Sequence, residues 1–145
     1  MADPHTQVDI EALADSLSAC ADVLHTRLMR AIRKQPPEGG LPGISEGAAQ
    51  ALFENEVALR QRANSLYLDA ARLAASGLGG AQQQMLDLTA RAQEKIRKID
   101  RLKDLIDLTA ELLSLGAAVA AGKPEHIVAP LEKLKHHIEA LHTPG

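Results

Sequence analysis

The stretch SEGAAQALFENEVALRQRANSLYLDAARLAAS, residues 45–76, decides the fold. Leu52, Leu59, Leu66 and Leu73 recur every seven residues, and Ala49, Ala63 and Ala70 stand three positions before all but one of them. Such a repeat draws one apolar stripe along an α-helix, and the small alanines let a second helix backbone approach closely. Glu56 occupies the place of the missing alanine and interrupts the seam with a carboxylate. A second strip, Phe53, Val57, Tyr67, Leu68 and Ala71, widens the apolar arc beyond half the circumference. That width marks a central helix, or one that also meets a partner.

Three clusters of helix breakers set the neighbouring segments. Pro36, Pro37, Gly39, Gly40, Pro42 and Gly43 make a linker over 36–43, because proline removes backbone donors and glycine costs backbone entropy. Gly77, Gly79 and Gly80 form a short connection, and Gly122-Lys123-Pro124 a third, with proline suited to a first helical position. Helices are therefore expected at about 7–35, 45–76, 81–121 and 124–142, in one domain spanning 1–145.

The first of these carries Ile10, Leu13, Leu17, Cys20, Ala21, Leu24, Leu28 and Ile32 at helical spacing, with Thr6 and Asp9 resembling a capping box. The third repeats Met85, Ala92, Ile99, Ile106, Leu113 and Ala120 every seven residues, which predicts one rod of about 50 Å or more at ~1.5 Å per residue. Paired with the second helix as a long hairpin turning near Gly79, it would set Glu56 beside Arg101 and Lys103 as a partly buried ion pair. In the last segment Ile127, Leu131, Leu134, Ile138 and Leu141 have helical spacing, and Pro130 should bend or restart the helix. The fold class expected is all-α, an up-down helical bundle built on a long antiparallel helical hairpin.

Composition agrees and narrows the function. Of 145 residues, 25 are alanine and 22 leucine, which favours close-packed helices, while Phe53 and Tyr67 are the only aromatics. So few aromatics exclude a base-stacking platform, an aromatic ligand cage and a β-sandwich. The net charge of −3 is mixed in sign along most of the chain, so no whole-molecule field draws it to nucleic acid. Cys20 is the lone cysteine, which rules out an intrachain disulfide and suits a reducing compartment. The opening MADPHTQ lacks a positive start and an apolar run, so no secretory signal is expected and the cytoplasm is the expected location.

No motif supplies a reaction. Six histidines are present, and Glu139 with His142 has the Glu-x-x-His spacing of helical di-iron sites, but those sites need two such motifs and two further glutamates. Cys20 sits on the Leu13, Leu17, Leu24 stripe and reads as a small core residue rather than a nucleophile. Phosphate-binding glycine loops are missing. The expectation is no catalytic, cofactor-binding or metal residue, no cofactor and no small-molecule substrate. The densest charge run, Arg91, Lys95, Arg97, Lys98, Arg101 and Lys103, is interleaved only with Glu94 and Asp100, and reads as a solvated helix face before an acidic protein surface or nucleic acid. Residues 112–121 form a mild apolar run, short of the ~20 residues that span a bilayer.

In size and long apolar seams the chain resembles, in general build, small helical bacterial proteins that act as adaptors, secretion chaperones or toxin-neutralising partners. What that resemblance implies is a non-enzymatic interaction module whose partner is another protein or a second copy of the chain. A membrane-active helical protein that inserts or forms pores is the alternative. The partner-binding residues expected are Phe53, Val57, Asn64, Tyr67 and Leu68 on the outer strip of the second helix.

Overall fold

The computed structural model describes residues 4–33, 46–76, 82–99 and 101–141. Its elements are α1 (Pro4–Arg33), α2 (Glu46–Ser76), α3 (Gln82–Lys98), α4 (Leu102–Ala120), a 3₁₀ turn at Pro124–His126, and α5 (Val128–Ala140). The linker 36–43, the glycines at 77, 79 and 80, and His142 lie outside the described residues. α1 starts at Pro4, one turn earlier than expected, so Thr6 is a helical residue and not a cap.

The all-α up-down bundle is present, and so is a long antiparallel hairpin, but α1 and α2 form it. Tyr67 meets Asp15, Arg60 meets Asp22 and Glu56 meets His25, so residue numbers fall along α2 as they rise along α1. α3 packs against α1 and runs parallel to it, with Cys20 level with Thr89 and Arg27 with Ile96. α4 packs against α2, also in parallel, with Asn55 beside Thr109 and Arg62 over Gly116. α5 then returns along α4 and touches α3. Direction alternates from each helix to the next.

The expected single rod over 81–121 is two helices, α3 ending at Lys98 and α4 beginning at Leu102, so α2 packs in parallel with α4 and not antiparallel to one long third helix. No glycine or proline causes the break. Arg27, on α1, donates from Nη1 to the carbonyls of Ile96 at 2.9 Å and Arg97 at 2.8 Å, and from Nη2 to that of Ile99. The last carbonyls of a helix have no partner within it, so a guanidinium laid over them makes an end at that point favourable. Arg101 is extended (φ −88°, ψ 126°), and α4 begins at the next residue.

Burial follows the seams. Leu13, Leu17, Leu24, Leu52, Leu59, Leu66 and Leu73 are fully buried, as are Met85, Ala92, Ile96 and Ile99. Past the break the sevenfold line Ile106, Leu113, Ala120 is only half-buried, and Leu105, Leu108, Leu112, Leu115 and Val119 take over the core. A change of helix direction re-phases which residues face inward, and the sequence repeat alone cannot show it. The buried hydroxyls of Thr89 and Thr109 donate to the carbonyls of Met85 and Leu105 one turn back, each at 2.9 Å. Gly116 is buried under Arg62, whose Cγ would lie 2.8 Å from an added Cβ, so the glycine lets the arginine stem lie flat on α4.

α4 closes at Gly122, whose φ of 71° is the left-handed conformation that glycine tolerates. Its N–H donates to Val119 O and that of Ala121 to Ala117 O, both at 3.0 Å. The helix restarts at Val128, with Pro130 in the first turn, where its missing donor costs nothing.

Two outcomes check this account. Leu59→Ala should lower the unfolding free energy by about 2–5 kcal/mol in urea denaturation, through lost transfer energy and a residual cavity. Arg27→Met keeps most of the stem and removes the donors, and should cost about 2 kcal/mol while protection from amide exchange falls first around 99–105.

Candidate interaction surface

At 100° per residue, Phe53, Val57, Asn64 and Leu68 fall within about 60° of one another on α2, and Tyr67 lies a further step toward α1. All five are exposed. Leu68 is 87% exposed, Phe53 49%, Tyr67 41% and Val57 38%. The second strip therefore does not widen the buried arc of α2. It forms an outward face beside the α1–α2 seam. The core is filled mainly by leucine, alanine and isoleucine, and both aromatic side chains are left on this one face.

Tyr67 has a structural tie as well, since its hydroxyl donates to Asp15 on α1. Two turns further along the seam, Arg60 Nη1 donates to Asp22 Oδ1 at 2.8 Å and its Nε to Glu56 Oε2 at 3.2 Å. Asp22 chiefly, with Glu56 adding, raises the already high pKa of this guanidinium. Glu56 is only 6% exposed, and its other oxygen accepts from His25 Nδ1 at 2.9 Å. An ionised carboxylate only accepts, so the imidazole proton sits on Nδ1 in this pair.

The expected bond from Glu56 to Arg101 or Lys103 is thus replaced by His25 and Arg60. The reason is topological. The partner of α2 along this flank is α1, and Arg101 stands at the N-terminal cap of α4.

Val8, 62% exposed, was not legible as part of this face. It stands on the sevenfold line Val8, Asp15, Asp22 of α1, whose last two members reach across to α2, so it extends the same edge. The available signal was that line, two of its three residues acidic and therefore unlike a core stripe.

The chemical candidates are placed as follows. Cys20 is fully buried, its Sγ 3.7 Å from the carbonyl of Thr89, and burial pushes its thiol up to about 12. His137 on α5 donates from Nδ1 to Glu111 on α4 at 2.8 Å and ties those two helices together. His126 and His136 are exposed. Among the described residues no three His, Cys, Asp or Glu side chains converge as a metal site. The basic run is divided by the end of α3: Arg97 turns toward α1, while Arg101 and Lys103 flank the start of α4. Leu112, Leu115 and Val119 are buried in the bundle, and no described helix is long and apolar enough to cross a membrane.

Compared with family models, curated proteins and solved structures, the chain matches none.

A double-mutant cycle separates the two registers for Glu56. Coupling between Glu56→Gln and His25→Ala should be about 0.5–2 kcal/mol, and coupling between Glu56→Gln and Lys103→Ala should be indistinguishable from zero. At pH 8 the Cys20 thiol, with its raised pKa, should react with a disulfide reagent only as fast as the native chain opens.

Proposed function

We propose that this protein is a non-enzymatic, cytoplasmic interaction module that binds a protein partner through the outer face of α2. The observation that carries the reading is the placement of Phe53, Val57, Tyr67 and Leu68 on one exposed face, while the core is complete without either aromatic residue. Contiguous apolar area on a surface is costly to leave in water, and aromatic side chains release disproportionate free energy when a partner covers them. Asn64, exposed in the middle of the strip, offers an amide that donates and accepts, which suits a polar contact within an apolar interface. Tyr67 is already oriented by its bond to Asp15, so less side-chain entropy is lost on docking. Adaptors, secretion chaperones and toxin-neutralising partners are the kinds of protein that work in this way.

The test is a capture experiment with the full chain and the double variant Phe53→Ser, Leu68→Ser, followed by mass spectrometry and light scattering. Exposed substitutions of this kind should move stability by no more than about 0.5 kcal/mol each. Loss of a stoichiometric protein partner at unchanged melting supports the reading. Collapse of the fold would show the strip to be core. Wild-type chain recovered only as its own dimer, and dissociated by the variant, would assign the face to self-association instead.

A further inference from the structure

We propose that the groove between α1 and α3 binds the carboxylate side chains of an acidic peptide segment. It is an open cleft of about 380 Å³ lined by Asp22, Val23, Thr26, Arg27, Arg30 and Arg97. It lies on α1's other flank from the α2 strip and stands or falls independently of that surface.

Parallel packing of α1 and α3 creates the site. It brings the C-terminal halves of two helices level, and each contributes arginine to the same cleft. Arg27 is committed to the carbonyls of Ile96, Arg97 and Ile99, and so offsets the negative end of α3. The cations Arg30 and Arg97 are then in excess of what the helix end requires. Both are exposed. Arg97 has only a long 3.9 Å approach to Glu94, and Arg30 has no ion pair with a described residue. Among the described residues the one carboxylate lining the cleft, Asp22, is taken by Arg60 at 2.8 Å. Among the described residues, three guanidiniums thus face a space whose single acid is already spoken for.

The chemistry favours carboxylate. A guanidinium presents two parallel N–H donors that match the two oxygens of a carboxylate. Val23 is half-buried and supplies an apolar surface for the methylenes of a Glu side chain. A nucleic-acid strand would find no aromatic side chain in the cleft on which to stack a base, and would meet Asp22 at its edge. The sequence placed Arg97 in a run along one helix; only the fold sets it opposite Arg30.

Fluorescence anisotropy of a labelled octaglutamate peptide, titrated with the full chain, tests the assignment. Binding should be present at ~20 mM salt and weaker at ~150 mM, as for exposed charge pairs. The double variant Arg30→Gln, Arg97→Gln should weaken it about tenfold or more, with thermal melting unchanged. Arg91→Gln, on an exposed α3 position outside the cleft, should leave it unaltered. If the double variant loses its fold, Arg97→Gln alone carries the comparison. No binding at low salt would overturn the proposal. So would an equal loss from Arg91→Gln, which would mean diffuse attraction, or tighter binding of an oligothymidylate of the same charge, which would make this a phosphate surface.

Discussion

The second half of the bundle depends on where the guanidinium of Arg27 lies. If residues 82–120 were one helix, it would run about 58 Å and overshoot α1, which at 30 residues spans about 45 Å. By taking the carbonyls of Ile96, Arg97 and Ile99, Arg27 supplies from α1 the acceptor satisfaction that a continued helix would supply from its own next turn. The chain can then reverse between α3 and α4 at little cost. That reversal lets α4 lie along α2 and α5 return beside α4, and it decides which leucines of the second half face inward.

Around this point the molecule separates its interactions by kind. Aliphatic side chains fill the interior, where close packing of leucine against alanine brings helices together. Polar side chains tie helix pairs at the edges of that core: Glu56 with His25 and Arg60 between α1 and α2, Asn55 with Thr109 between α2 and α4, and Glu111 with His137 between α4 and α5. Partly exposed pairs of this type add little stability each, but a buried carboxylate such as Glu56 penalises any register that leaves it without donors. Most of the larger apolar side chains that remain outside, Phe53, Val57, Tyr67 and Leu68, gather on α2, beside the seam with α1. A face held by Tyr67–Asp15 and Arg60–Asp22 is pre-organised, and binding to it costs less ordering than binding to a loose surface. The cationic cleft on the opposite flank of α1 has a different character, with charge and shape in place of apolar area, and so suits a different ligand.

Much of this was legible in local order. Helical class, the buried stripe of α1, the leucine seam of α2 and the interior position of Cys20 follow from residue spacing, because side-chain direction along a helix is fixed by 3.6 residues per turn. The restart near Pro130 and the end of α4 at Gly122 follow from backbone chemistry at single residues. The outer strip of α2 was visible as a set of residues. Whether it faced the core or solvent was not, since an amphipathic pattern gives the width of an apolar arc and not the number of neighbours available to cover it.

The sequence by itself determined that the chain forms helices, where most of them stop and which face of each is apolar, because these are properties of residues within a turn or two of one another. Tertiary structure alone decided that α1 and not α3 flanks Glu56, that the sevenfold line after Ile99 changes its facing, and that Arg30 and Arg97 share a cleft. Each of these turns on Arg27 reaching residues about seventy positions away, and no local pattern encodes a donor that arrives from another helix.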